Sequence, residues 1–249
     1  MGLESLRTFE EKPEWKEKQP FQDTTHIERI IQSNAVYAAM IPSMDENIGK
    51  IINELKRLEL YENTIIIFTS DNGGLSTSEG SPTSNRPLRG GKGFTYEGGI
   101  REPLIVRMPN MRNTGTLCDS VVISTDYYPT ILEITGSELH PEQHLDGISL
   151  LPLLENKKRT ERDAVYWHYP HYSNQGGRPS GAIRMGNYKL LQFYDTGEIE
   201  LYDLSADLSE EKNLKDEKPE VTQALLKKLN DWRKSVEADM PVKNTKIYD

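Results

Sequence analysis

Apolar residues recur at steps of three and four from Ile27 to Leu58, through Ile30, Ile31, Tyr37, Met40, Met44, Ile48, Ile51, Ile52 and Leu55. This spacing traces one helical stripe and predicts a face packed on a core. Pro42 falls inside it and predicts a kink or a split, because proline lacks the N–H and its ring crowds the preceding turn. Thr64-Ile65-Ile66-Ile67-Phe68-Thr69 follows at once. It is short, β-branched and apolar on both faces, the pattern of a strand buried in a parallel sheet with helices on either side. Ser70-Asp71-Asn72-Gly73-Gly74 closes that run, and a polar, glycine-rich stretch continues to Gly99. Pro103 to Met108 predicts a second strand, closed by Pro109. Ser124-Thr125-Asp126 predicts a cap for a helix through Tyr128 to Ile134, with Pro129 tolerated in its first turn. Strands and helices alternate, so this part reads as α/β.

From about Arg162 the period changes to two. Ala164 to Tyr169, Gly181 to Met185, Tyr188 to Phe193 and Glu198 to Leu204 are short extended runs. Asp195-Thr196-Gly197 is a hairpin turn between the last two. These predict a small antiparallel sheet. A charged linker, Asp207 to Pro219, leads to a helix with Val221, Leu225, Leu226, Leu229, Trp232 and Val236 on one face, predicted to pack on that sheet. The chain thus divides into a loose segment 1–25, an α/β region 26–160, a small antiparallel subdomain 161–240 and a tail 241–249.

Charge and composition narrow the function. Thirty basic and 39 acidic residues among 249 give a net charge of −9, which argues against a nucleic-acid partner, since a phosphate backbone selects a basic face. No apolar run approaches the ~20 residues of a membrane span. The single cysteine, Cys118, forbids an internal disulfide and any cysteine-rich metal site. Met1-Gly2-Leu3-Glu4-Ser5 has no apolar core of a secretion signal, and the compartment stays unassigned.

Two stretches carry candidate chemistry. Asp71-Asn72 sits at the carboxyl end of a strand, where ligands gather in α/β sheets. Its adjacent hard oxygen donors suit Ca²⁺ or Mg²⁺ rather than Zn²⁺. Asp-Asn-Gly-Gly is equally ordinary turn chemistry. The second stretch runs from Pro87 to Pro103 and sets Lys92 and Glu97 among five glycines. Glycines permit close backbone approach, and Lys92 can present a point charge to an oxyanion, worth about 4 kcal/mol at ~4 Å before desolvation. A mobile loop with a solvated lysine reads the same way locally. A phosphate-binding P-loop is excluded, because Gly93 rather than Ser or Thr follows Lys92.

Together these stretches resemble the sulfatase family of the alkaline phosphatase superfamily. Ser70-Asp71-Asn72-Gly73, Leu88-Arg89-Gly90-Gly91-Lys92-Gly93, Glu97-Gly98-Gly99-Ile100-Arg101-Glu102-Pro103, Ser124-Thr125-Asp126-Tyr127-Tyr128-Pro129-Thr130 and Leu145-Asp146-Gly147-Ile148-Ser149-Leu150 carry the likeness. It implies part of an alkaline phosphatase-like sandwich, a mixed sheet flanked by helices, followed by a small antiparallel sheet with a C-terminal helix. Asp71 and Asn72 match the later pair of calcium ligands, with Mg²⁺ the less favoured ion. Lys92 matches the catalytic lysine that holds a sulfate oxygen, and Glu97 and Arg101 match positions that brace the glycine loop. His168, His171 and Arg178 lie in the second subdomain. The resemblance makes them candidates to bind an aryl or carbohydrate sulfate, while the bland alternative is an aromatic and histidine cluster packing the two subdomains.

The family's nucleophile is the hydrate of a formylglycine, made from Cys or Ser in Cys/Ser-x-Pro/Ala-x-Arg. Cys118, in Leu117-Cys118-Asp119-Ser120-Val121, lacks the proline and arginine, and no serine of this sequence is followed by x-Pro-x-Arg. The early Asp-Asp pair of the family is missing as well. The expectation is therefore the C-terminal half of a sulfatase, inactive alone, that would pair with an N-terminal half of the same enzyme. A phosphoesterase or phosphonate hydrolase of the superfamily, and a non-catalytic module binding sulfated glycans, are the alternatives. By resemblance the family is often exported.

Overall fold

The computed structural model describes residues 9–11, 27–111, 114–157 and 162–242. In chain order the elements are β1 (Phe9–Glu11), β2 (Ile27–Arg29), α1 (Ala35–Arg57), β3 (Ile66–Thr69), α2 (Glu97–Ile100), β4 (Leu104–Arg107), α3 (Tyr127–Ile134), α4 (Leu151–Leu154), β5 (Val165–Tyr169), β6 (Ser180–Met185), β7 (Tyr188–Phe193), β8 (Ile199–Asp203) and α5 (Pro219–Ser235). They fall into two compact units. The first comprises Met1–Pro42, Ser70–Glu102 and Asp163–Asp249; the second comprises Ser43–Thr69 and Pro103–Arg162. The mixed α/β class expected from the sequence is what the chain adopts.

The first unit is built on an antiparallel meander in the order β5-β6-β7-β8. Leu190 faces Ile183 on one side and Leu201 on the other, and Leu191 faces Ala182 and Glu200. Strand residues alternate between faces. Ile183, Leu190 and Leu201 therefore share one face, where Leu214, Leu225 and Leu229 cover them. Trp232 of α5 stacks on Tyr166 of β5, ring centroids 4.8 Å apart. The predicted packing of the last helix on this sheet is thus observed. The opposite face carries Ala182, Leu191, Phe193 and Tyr202, against Phe94 and Tyr96 of the glycine-rich stretch. Lys189 lies on this second face by the same alternation and is fully buried. The same unit holds β1 paired antiparallel with β2, so Phe9–Glu11 of the expected loose segment is a strand. The rest of 1–25, and 243–249 of the expected tail, lie outside the described residues.

In the second unit β3 and β4 form a two-stranded antiparallel ribbon, Ile67 facing Val106 and Phe68 facing Ile105. The expected burial of the Thr64 to Thr69 run in a parallel sheet is corrected here. Among the described residues β4 is its one pairing neighbour, and Ile66, Ile67 and Phe68 are half-buried. Arg107 of β4 donates to the carbonyls of Tyr61 and Thr64 and pairs with Glu62 at 2.7 Å. Asp126, fully buried, accepts the N–H of Ile123 and Ile148 and pairs with Arg162, which fixes the start of α3. Pro129 lies in the first turn of α3, as predicted.

The long helix departs from expectation in two ways. Ile27 to Arg29 is a strand, and α1 runs unbroken through Pro42 over 23 residues. Pro42 removes one N–H from the ladder, and the remaining turns carry the helix past it. The amphipathic pattern is real, but no residue of α1 is buried. Val36, Met40, Ile41, Met44 and Ile51 stand in the open. Periodicity reports which face is apolar, not whether anything covers it.

Candidate active site

Asp71 and Asn72 form a turn at the carboxyl end of β3. Asp71 is exposed and Asn72 half-buried. The Asn72 amide donates to Asp71 Oδ2 at 2.6 Å, and Ser70 Oγ donates to the Asn72 carbonyl at 2.8 Å. Backbone bonds hold the turn to the glycine loop. Gly73 donates to the Gly99 carbonyl at 3.1 Å, and Lys92 donates its N–H to the Gly74 carbonyl at 3.2 Å. Asn85 closes the arrangement: it accepts from Gly74 N and donates to the carbonyls of Gly74 and Gly90. Glycine is required at 73 for space, since a Cβ there would run into the Gly98 carbonyl. At Gly93 it is required for conformation, because φ is +89°, where L side chains are strained.

The loop that results is rooted in the protein and open at its tip. Lys92 is exposed, whereas Phe94, Thr95, Tyr96 and Glu97 are buried. Phe94 and Tyr96 anchor it by apolar contact, and Thr95 Oγ1 meets Ser180 Oγ at 2.9 Å. Tyr96 donates its hydroxyl to Glu200 at 2.8 Å. The sequence placed Glu97 beside Arg101. The structure gives Glu97 a nearer partner, Lys189 at 3.0 Å, with Arg101 3.7 Å away and half-exposed. A lysine flanked by Tyr188 and Leu190 gives no sequence signal of such a role.

Glu102 belongs to the same neighbourhood. Its Oε1 is buried without a hydrogen-bond partner. Burial, and then the negative charge of Asp71, push its carboxyl above the usual range. Carboxylate oxygens here are short of positive charge, the condition a divalent cation relieves. Asp71 and Asn72 fit two places in a calcium shell that takes 6–8 oxygens. Among the described residues no group of three or more His, Cys, Asp or Glu comes together as a metal cluster.

The second-subdomain candidates divide by exposure. The loop after β5 lies against the Lys92 loop, where a Cβ at Gly177 would meet the Gly93 carbonyl, and against the segment before it, where Thr77 Oγ1 donates to the Gln175 carbonyl at 2.6 Å. His171 is exposed on this loop, edge-on to Tyr169. His168 is half-buried, with Nδ1 2.8 Å from the Tyr194 hydroxyl and Nε2 2.9 Å from the Asp239 carbonyl. Arg178 is 5% exposed. Its three nitrogens go to Asp195, Glu198 and Thr196, and its guanidinium lies 4.2 Å over the Phe193 ring. The physical consequence is that Arg178 has its donors committed to the β7–β8 hairpin, while Lys92 and His171 face solvent.

A family model described as "Sulfatase" matches residues 7–137, and one described as "N-sulphoglucosamine sulphohydrolase, C-terminal" matches residues 91–235. The chain belongs to the sulfatase family. It is 37% identical over 205 residues to a sulfatase of Formosa agariphila, covering 75% of this chain and 36% of that protein. It is 35% identical over 183 residues to an N-acetylglucosamine-6-O-sulfatase of Bacteroides thetaiotaomicron, covering 72% of this chain and 31% of that protein. A structure solved in complex with its substrate D-glucosamine-2-N,6-O-disulfate superposes with a TM-score of 0.66 at 31% identity, over 81% of this chain and 40% of that one. The chain thus spans about a third of the length of the curated relatives it matches. No helix among the described residues is long and apolar enough to cross a membrane.

Proposed function

We propose that this chain supplies the calcium-binding turn and the sulfate-binding lysine of a sulfatase acting on sulfated carbohydrate or aryl sulfate. The observation that carries the reading is the stitching of two motifs into one site. The Asp71-Asn72 turn and the Lys92 loop belong to the same unit and are joined by the Lys92–Gly74 and Gly73–Gly99 backbone bonds. Membership of the sulfatase family and the likeness to a protein solved with a disulfated glucosamine support the substrate class.

In this reading Asp71 and Asn72 hold Ca²⁺ together with ligands from other polypeptide. The ion, when bound, neutralises negative charge on the sulfate oxygens. Lys92 donates to a sulfate oxygen through its ammonium and stabilises charge there as the ester S–O bond breaks. His171 contacts the sugar or aryl group. His168 and Arg178 shape the same wall through the bonds they already make. The nucleophile, a formylglycine hydrate, comes from polypeptide outside these 249 residues: no cysteine or serine here is followed by x-Pro-x-Arg, and Ser180-Gly181-Ala182-Ile183-Arg184, which matches the alanine form of the motif, lies in β6 with Ser180 buried against Thr95. An N-terminal half of the same enzyme is the partner proposed to provide it and to cover the apolar face of α1.

The test is to combine this chain with an N-terminal sulfatase segment carrying that motif, then assay matched aryl sulfate and aryl phosphate esters. Calcium-dependent sulfate ester hydrolysis that is lost with Lys92→Ala is the expected result. A preference for phosphate overturns the substrate class, and turnover indifferent to Lys92→Ala removes that residue from the mechanism.

A further inference from the structure

We infer that Lys189 is the positioning residue for the Lys92 loop, an inference that rests on Lys92 being the anion-binding group. Lys189 is in β7, on the sheet face that carries Leu191 and Phe193, and is fully buried. Its Nζ lies 3.0 Å from Glu97 Oε1 and 2.8 Å from Glu210 Oε1. Glu210 in turn accepts the backbone N–H of Glu97 on Oε2 at 2.7 Å. One residue, Glu97, is therefore gripped at both its side chain and its backbone. The other charges facing this cluster are Arg101 and Arg184, each 3.7 Å from Glu97 Oε2.

Glu97 opens α2, and the bonds that define the site radiate from α2. Gly98 donates to the Arg89 carbonyl at 2.9 Å, and the Gly99 carbonyl receives the Gly73 N–H. At the loop's other root Arg89 donates to the Tyr202 hydroxyl at 3.0 Å and to the Glu210 carbonyl at 2.7 Å, with its guanidinium 4.0 Å over the Tyr96 ring. Residues 89–99 are thus clamped to one sheet at both ends, and Lys92 lies between the clamps. An ion pair at this depth is a poor source of stability, because desolvation offsets the Coulomb gain. What it supplies is a single arrangement: an ammonium held between two carboxylates, with the surplus carboxylate oxygen bonded to the backbone of the loop it positions. A methionine of similar length would fill the volume without fixing the loop.

Amide hydrogen exchange on the full chain tests this without calcium or sulfate. In Lys189→Met the amides of Lys92, Gly73 and Gly98 are expected to exchange about tenfold faster or more than in the parent, relative to those of Leu190 and Leu201 in the sheet. Glu97→Gln keeps the volume and the backbone bond and is expected to accelerate the same amides, so it reads the effect should the methionine variant not fold. Uniform acceleration across sheet and loop, or loop amides that keep their protection, overturns the inference and leaves Lys189 a structural residue. The role of Lys92 itself is read separately, from sulfate ester turnover by Lys92→Ala, so the two conclusions fail independently.

Discussion

The backbone N–H of Lys92 and the carbonyl oxygen of Gly74 meet at 3.2 Å, and Gly74 stands two residues beyond Asn72. The lysine loop and the acid–amide turn therefore move as one piece. Gly73→Ala sets a methyl against the Gly98 carbonyl, and the overlap cannot be relieved by a side-chain rotation. The expected loss is about 1–3 kcal/mol, as for other overpacked sites, with weakened calcium binding. Urea denaturation and calcium titration calorimetry measure the two effects.

Lys92→Ala separates chemistry from folding. Lys92 is exposed, so the unfolding free energy from urea denaturation should change by less than about 0.5 kcal/mol. In the reconstituted enzyme, turnover of aryl sulfate should fall by about 10²–10³, the range for losing one donor to a developing oxyanion. Steady-state kinetics of the same preparation checks it.

Glu210 is one of two carboxylates that share the Lys189 ammonium, and it is fully buried. Burial disfavours its charged form more than Lys189 favours it, so its folded pKa stands above the ordinary 4.5. The folded chain then holds a proton that the unfolded chain releases near 4.5. This contribution to stability is present in full below the ordinary value and is lost as pH rises through the raised one. Glu210→Gln should flatten that decline, seen in urea midpoints measured from about pH 4 to pH 7.

Leu225 and Leu229 of α5 are both fully buried against Ile183, Leu190 and Leu201. Truncating either to alanine should cost about 2–5 kcal/mol, the range for a leucine removed from a closed core. Equilibrium unfolding followed by the fluorescence of Trp232, stacked on Tyr166, reports it directly.

The uncovered face of α1 makes a prediction of its own. Val36, Met40, Met44 and Ile51 are exposed along one side of the helix, an apolar stripe of the kind that drives association. Replacing all four with glutamine should reduce self-association in light scattering. The core around Leu190 and Leu225 should stay intact by the same unfolding assay. An unchanged size distribution would place the sticky surface elsewhere.

How much of this was legible in the sequence depends on how local the signal is. The runs at Tyr188 to Phe193 and Glu198 to Leu204, with the turn at Asp195-Thr196-Gly197, became β7, β8 and their hairpin, because alternation and turn chemistry act over a few residues. The stripe of α5 was read for the same reason. The Asp71-Asn72 and Lys92 stretches were found as motifs, but not the bonds that join them. Lys189 was invisible: a lysine in a strand reads as a solvent-facing residue, and its partners are set by a contact 92 positions away. The burial assigned to α1 and β3 failed for a different reason. Pattern encodes a preference for cover, and cover depends on polypeptide that pattern does not describe.

The clamp on Glu97 also dictates an order of events during synthesis. Residues 71–102 leave the ribosome well before Lys189, and β7 before Glu210. At about 5–20 residues per second, the glycine loop spends several seconds with its carboxylate unanswered, until the last two strands have emerged and closed. A nascent chain halted upstream of residue 188 would carry both motifs and still lack the shape that makes them a site.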